Sequence, residues 1–366
     1  MANNKIFIDD NLPSRSTGGA ARYFRHIRDG FIDYFGEQAY FFSPQTYNYG
    51  SAHHIQALPT HFKGSERLGI FRINYFLSDR KARQLHPDIY YSPYFGNSNS
   101  TGAQVYTVYD RIYELFFQHT EEVNAFIAKK KACIEKAELL IAISQNTAND
   151  IVSIYPKVNP RKIAITWLGV DEFFFETRPQ KENNYRPYFL YVGARKGYKN
   201  FNELVKAFGQ SGLAKDFDLR VVSPSISGNF TKEERDLLVR YHLEQSIDLF
   251  LAISEVNLRE SYSRALALLY PSEYEGFGLP ILEAMAAGTL VATSNVASMP
   301  EISGNIAFYF DPHSADSISE TLKEIVSITE TERLSRINRG IYHARQFSWK
   351  RCQEQTVEAI SRLLLM

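Results

Sequence analysis

Two glutamates bracket a glycine turn in Tyr270-Pro271-Ser272-Glu273-Tyr274-Glu275-Gly276-Phe277-Gly278-Leu279-Pro280-Ile281-Leu282-Glu283-Ala284-Met285-Ala286. An apolar run ends at Pro271, the turn follows, and Pro280 opens a helix at or near its first position. Gly276 and Gly278 let the backbone approach a ligand and turn N–H groups toward it. The helix N-terminus just beyond adds its partial positive charge, so the segment suits an anion such as a diphosphate. Glu275, in the loop, can reach a hydroxylated ring. Glu283, two turns later, can take two hydrogen bonds from a vicinal diol such as that of a ribose.

A second cluster stands in Tyr191-Val192-Gly193-Ala194-Arg195-Lys196-Gly197-Tyr198-Lys199-Asn200-Phe201, where three cations follow the end of an apolar run. A guanidinium offers a planar fork and an ammonium a point charge, and phosphoryl oxygens accept from both. Charge runs on loops usually only solvate a surface, but this one sits at the carboxyl end of a strand, where open α/β sheets bind ligands. Gly18 and Gly19 lie between the first apolar run and a helix carrying Arg22, Arg25 and Arg28. Tyr109 and Asp110 end another run, and Asp110 either points into a site or caps the next helix. Asp9 and Asp10 are adjacent, not spaced as Asp-x-Asp, and no carboxylate cluster follows, so no metal site is expected.

Strands and helices must hold these groups in place. Short apolar runs recur at residues 5–9, 39–43, 88–92, 105–110, 139–144 and 162–168, then at 188–193, 219–223, 248–253, 267–271, 290–293 and 307–310. Several are continuously apolar, as parallel strands covered on both faces are. Residues 121–137, 201–208 and 314–325 space their apolar side chains at three and four, as amphipathic helices do. This alternation predicts a doubly wound α/β architecture. The polar stretch 177–187, with its two prolines, marks the boundary between two Rossmann-like domains. They are residues 1–178 and 179–346, with a last helix, 347–366, crossing back to the first.

The bulk properties narrow the function. A chain of 366 residues has room for two cores. Forty-one basic side chains cancel forty-one acidic ones, so no overall field draws the molecule to nucleic acid or anionic lipid, although a local patch is compatible with neutrality. The two cysteines, Cys133 and Cys352, cannot build a disulfide framework or a Cys-rich zinc site, and read as reduced thiols of a cytosolic protein. No secretion signal or membrane-spanning run is seen, so a soluble cytoplasmic chain is expected. The 26 Phe and 23 Tyr are read mainly as core.

Taken together, Glu275-x₇-Glu283 with Gly276-Phe277-Gly278-Leu279-Pro280 resembles the signature of retaining GT-B glycosyltransferases of family 4 (glycosyl transferases group 1). The resemblance runs from about Gly18 to Trp349, close after Tyr188 and loose before it. It implies the GT-B fold, in which two doubly wound Rossmann-like domains face each other across a cleft. It implies that Glu275 contacts the donor sugar and Glu283 the donor ribose. Arg195 and Lys199 map onto the cation pair that neutralises the donor pyrophosphate, with Lys196 a spectator. Gly276, Phe277, Gly278 and Leu279 line the donor, and Gly18 and Gly19 approach it from the first domain. Many relatives have His-Asp where this chain has Tyr109-Asp110; that departure bears on which sugar fits. Ser144 matches a strand-end turn and is read as a helix cap.

The expected activity is transfer of a hexose from a GDP- or UDP-sugar to a glycan or lipid-linked saccharide, with same-face attack and retained anomeric configuration. Catalytic roles fall to Glu275, Arg195, Lys199 and Asp110, with no cofactor and no metal. Partners are the nucleotide-sugar and the acceptor, without nucleic acid. The basic segment 67–83 is a candidate for contact with an anionic acceptor, and the chain for a peripheral place at the inner face of a membrane. Alternatives are a nucleotide-sugar epimerase of the same fold, a phosphorylase, whose cofactor lysine motif is not found, and a non-catalytic binding protein.

Overall fold

A computed structural model describes residues 4–11, 19–45, 47–60, 70–96, 98–117, 120–176 and 186–365. The chain divides into two compact units, Met1–Gly169 with Trp349–Met366, and Val170–Ser348.

In the first unit the described strands are β1 (Ile6–Asp9), β2 (Ala39–Ser43), β3 (His53–Gln56), β4 (Ile89–Ser92), β5 (Ala103–Val108), β6 (Leu139–Ala142) and β7 (Ile163–Ile165). They pair in parallel in the order β3-β2-β1-β4-β5-β6-β7. Helices α1 (Gly19–Phe35), α2 (Ile70–Leu85), α3 (Ile112–Phe116), α4 (Glu121–Lys136) and α5 (Gln145–Ile154) connect them. Every residue of β1, β4 and β6 is buried, which is why these segments read as unbroken apolar runs. The polar edge strand β3, sequence His-His-Ile-Gln, is half exposed and offers no such run, so the sequence does not announce it.

The second unit repeats the plan with β8 (Tyr188–Val192), β9 (Asp218–Ser223), β10 (Ile247–Leu251), β11 (Ala267–Tyr270), β12 (Leu290–Ser294) and β13 (Phe308–Phe310). These strands are parallel, in the order β10-β9-β8-β11-β12-β13. Helices α6 (Phe201–Ser211), α7 (Lys232–Arg240), α8 (Glu255–Arg264), α9 (Leu279–Ala286), α10 (Met299–Ser303), α11 (Ala315–Ser327) and α12 (Glu330–Ala344) complete it. Leu204, Phe208, Leu219, Val221, Leu269, Ala292, Ile318 and Leu322 form the core between sheet and helices.

The last helix, α13 (Trp349–Ser361), returns to the first unit and packs on α1. The Trp349 indole stacks on His26 at 4.2 Å between centroids, and the Gln353 amide donates to the His26 carbonyl at 2.5 Å. A Cβ on Gly30 would stand 3.0 Å from that of Gln353, so the glycine lets the two helices pack closely here. The largest fully buried side chains are all tyrosines and phenylalanines, in keeping with the reading of the aromatics as core.

The division between units falls at 169/170, nine residues before the expected 178/179. The turn Glu172–Phe175 explains the difference: Phe174 meets Tyr262 edge to face, while Arg259 and Arg345 cover Phe173 and Phe175 at 4.2 and 4.5 Å. The return falls at 348/349, not 346/347, because the Val170 amide donates to the Phe347 carbonyl within the second unit. Residues 177–185 lie outside the described set. In each sheet the strand order reverses between two neighbours, β1 and β4 in one and β8 and β11 in the other. Open α/β sheets bind ligands beyond the carboxyl ends of such strands.

Candidate active site

The two chemistry-bearing segments of the second unit leave its sheet at this reversal. One loop leaves β8 through Arg195 and a turn, Gly197–Lys199, before α6. The other leaves β11 through Glu275 before α9. The Glu273 amide donates to the Tyr198 carbonyl at 2.7 Å and ties the loops together. Lys199 Nζ then stands 2.5 Å from Glu275 Oε1 and 3.4 Å from the Tyr270 hydroxyl. Both members of the ion pair keep some exposure, 17% and 10% for the side chains, so a ligand can reach them. Burial, and then the neighbouring Glu275 charge, push the Tyr270 phenol well above its ordinary range, which keeps it a neutral hydroxyl.

The glycine turn is held from behind. The Ser298 hydroxyl, in the loop between β12 and α10, lies 2.9 Å from the Glu275 carbonyl and 2.8 Å from that of Phe277. Gly278 adopts φ +112°, and a Cβ there would stand 3.1 Å from Ile281 Cδ1, so only glycine turns the chain here without strain. Helix α9 opens at this point with Pro280 in its first turn and no side-chain cap on its leading amides. An anion placed there meets the positive end of the helix. Glu283, buried on the same helix, accepts a hydrogen bond from the Tyr262 hydroxyl of α8 at 2.9 Å.

Arg195 has a more committed position than its sequence context suggests. Its Nε lies 3.1 Å from Glu234 Oε1, and its Nη2 donates to the carbonyls of Gly228 and Asn229 at 2.9 and 3.0 Å. The two side chains are 1% and 4% exposed. Glu234 also closes a capping box with Thr231 at the start of α7. Arg195 Nη1 is the part of the guanidinium left without a partner among the described residues, and it too is buried. Lys196 is exposed.

The first unit places its candidates as follows. Gly18 lies outside the described residues, and Gly19 opens α1. Arg25 on that helix is exposed, whereas Arg28 is buried, pairs with Asp29 and covers the Tyr47 ring at 3.6 Å. Tyr109 is buried beyond the end of β5, edge to face with Tyr23, and its hydroxyl has no partner among the described residues. Asp110 Oδ1 accepts from the Ile112 amide at 3.0 Å and so braces the start of α3. Ser144 caps α5, accepting from the Thr147 amide at 3.0 Å. At the reversal between β1 and β4, Tyr90 donates to Asp9 Oδ2 and Ser43 to Asp10 Oδ2, at 2.7 and 2.8 Å. Burial raises both carboxyls, Asp10 to about 8. Among the described residues no three His, Cys, Asp or Glu side chains cluster as a metal site needs, and no helix is long and apolar enough to cross a membrane.

Several site residues carry no readable signal in the sequence. Tyr270, Tyr262, Ser298 and Glu234 act through space on partners 21 to 71 positions away. Only Tyr270 stands out at all, as the last residue of a strand that ends at the site.

The chain is similar to known proteins in sequence and in fold. Residues 173–341 match the family described as glycosyl transferases group 1. Over 289 residues the chain is 28% identical to O-antigen chain mannosyltransferase B of Escherichia coli, covering 75% of this chain and 74% of that one. It is 28% identical to O-antigen chain mannosyltransferase RfbU of Salmonella typhimurium, over 57% of this chain and 56% of that one. A glycosyltransferase from Rickettsia africae superposes with a TM-score of 0.74 over 99% of both chains at 17% identity, a likeness of fold.

Proposed function

We propose that this chain, a glycosyltransferase of GT-B fold, moves mannose from a nucleotide-activated donor to a hydroxyl of a glycan or lipid-linked saccharide, keeping the donor's anomeric configuration. One observation carries the reading. The Lys199–Glu275 pair sits at the β8/β11 reversal, beside the uncapped start of α9, with Glu283 on that same helix. Mannose is favoured because the two relatives described above are named as mannosyltransferases.

In this account the diphosphate lies against Lys199 and the amides that open α9. Arg195 adds charge through Nη1, the edge not engaged by Glu234 and the 227–229 carbonyls. Glu283 accepts from the ribose diol, held by Tyr262. Glu275 orients the sugar through its hydroxyls, anchored by Lys199. As the bond from the anomeric carbon to the phosphate oxygen breaks, the acceptor oxygen bonds to that carbon from the same face. The acceptor proton passes to the departing diphosphate oxygen. Charge grows on that oxygen, and fixed cations and amides stabilise it more than they stabilise the bound donor. No metal is needed in this scheme. The enzyme works in the cytoplasm at the inner face of a membrane.

The direct test supplies mannose, glucose and galactose nucleotides with a saccharide acceptor and reads the new linkage by NMR. The expected product is a mannoside with the donor's configuration. An inverted product would remove the same-face mechanism, and transfer of glucose or galactose in preference to mannose would remove the sugar assignment. The epimerase alternative finds no support in any observation, and a non-catalytic binding protein has no need of the Lys199–Glu275 pair.

A further inference from the structure

Ser298 directs its hydroxyl away from its own helix. It stands immediately before α10, where a serine ordinarily caps the leading amides, yet its side chain makes no cap there. The side chain is wholly buried, and the hydroxyl reaches instead into the loop between β11 and α9, to the Glu275 and Phe277 carbonyls at 2.9 and 2.8 Å. One hydroxyl carries one proton, so the two carbonyls share it.

The backbone that carries this hydroxyl is fixed. Ala297 has φ +52°, a left-handed conformation that residues other than glycine rarely adopt and that persists where the surrounding structure imposes it. The Ser298 carbonyl accepts from the Ile302 amide at 3.0 Å, and Met299 and Ile302 are wholly buried. On the facing loop the Phe277 ring meets Phe347 edge to face, which restrains the turn from its other side. A trans peptide unit sets its N–H opposite its C=O, and the Phe277 carbonyl and the Gly278 amide belong to one such unit. Holding that carbonyl toward Ser298 therefore turns the Gly278 amide away from it. Gly278 stands directly before α9, whose leading amides have no side-chain cap.

We propose that Ser298 is a positioning residue for the diphosphate: by gripping the Glu275 and Phe277 carbonyls it aims the Gly278 amide, beside those that open α9, at a phosphoryl oxygen. Ser298 has this role only if the second unit binds a nucleoside diphosphate, as the proposed function requires. An amide aimed in advance needs no reorganisation when charge develops beside it. Without the hydroxyl the two carbonyls lose their buried donor, and the peptide unit can rotate toward another partner, taking the amide with it. The Glu275 carbonyl fixes the near end of the same turn, so the carboxylate paired with Lys199 and the Gly278 amide share one anchor.

The test titrates the full chain with GDP, UDP and ADP and with the matching nucleosides, guanosine, uridine and adenosine. Wild type is expected to bind one diphosphate more tightly than its nucleoside. Ser298→Ala should weaken that diphosphate about tenfold, the worth of one hydrogen bond to a charged group, and leave the nucleoside unchanged. Tyr262→Phe, which loosens Glu283 and so the ribose, should instead weaken both ligands alike. A second measurement needs no variant: in wild type labelled with heavy-nitrogen glycine, the Gly278 amide resonance should move when the diphosphate is added and stay in place with the nucleoside. Ser298→Ala binding the diphosphate like wild type would overturn the proposal, as would equal losses for diphosphate and nucleoside, or a Gly278 resonance indifferent to the diphosphate. In each of those cases the diphosphate site itself stands. Wild type binding none of the three diphosphates would remove the transferase reading and this role with it.

Discussion

Lys199 Nζ and Glu275 Oε1 meet at 2.5 Å, although one follows β8 and the other follows β11. The contact exists because these strands are neighbours at the point where the sheet order reverses, so both loops rise from the same edge. On the proposed function it places the cation assigned to phosphate and the carboxylate assigned to the sugar within one hydrogen bond of each other. Lys199→Ala should lower turnover by about 10²–10³, as losing one charge-stabilising donor does. Glu275→Gln should lower turnover more than it weakens nucleotide binding, since the carboxylate is assigned to the sugar. Steady-state kinetics beside nucleotide titration checks both.

Arg195 and Glu234 predict a different phenotype. Both are buried, so Arg195→Ala leaves a carboxylate without its partner in a dry site. The cost is about 3–5 kcal/mol. The melting midpoint of Arg195→Ala should fall by about 10 °C, on top of any loss of turnover, while Lys199→Ala melts close to wild type. Equal melts for the two variants would show that the buried pair contributes little.

Tyr109 presents a buried hydroxyl without a partner among the described residues. Removing such a group costs the fold nothing, because its hydrogen bond is unmade. Tyr109→Phe should therefore melt at or slightly above the wild-type temperature. If this hydroxyl meets the donor sugar, as the resemblance to the family implies, the same variant loses about tenfold in turnover, the worth of one hydrogen bond.

Asp10 gives a pH dependence with a definite sign. Its carboxyl is raised from 3.8 to about 8 by burial, so the folded chain holds a proton that the unfolded chain releases. Its stabilising effect is complete below pH 4 and is lost as pH rises toward 8. Asp10→Asn keeps an acceptor for the Ser43 hydroxyl but cannot ionise. Urea titrations should find the variant's stability less dependent on pH between 4 and 8, with its advantage over wild type greatest at pH 8.

The sequence makes the local half of this site readable. Glu275, the glycines, Pro280 and Glu283 lie in one strand–turn–helix segment, so their spacing alone sets their relative positions. Arg195 is less transparent: its partner Glu234 lies 39 residues away on α7, and no local pattern reveals that the guanidinium is drawn into the protein. Asp110 left two readings open in the sequence, a site group or a helix cap, and its carboxylate accepts from the Ile112 amide at the start of α3. The strands read well where burial on both faces left continuous apolar runs, as in β1 and β6. They failed at β3, whose edge position lets polar residues form a strand. The domain boundary followed composition, but Phe173, Phe174 and Phe175 follow their cation and ring contacts into the second unit.

The central claim is a nucleoside diphosphate site in the second unit that needs no metal, and calorimetric titration of GDP, UDP and ADP, each with and without a chelator, tests it most directly. The account predicts that one nucleotide binds, that chelation leaves its affinity unchanged, and that Glu283→Ala abolishes the heat. Tyr262→Phe should weaken the same nucleotide about tenfold. Failure of all three nucleotides to bind, or binding that survives Glu283→Ala intact, would contradict it.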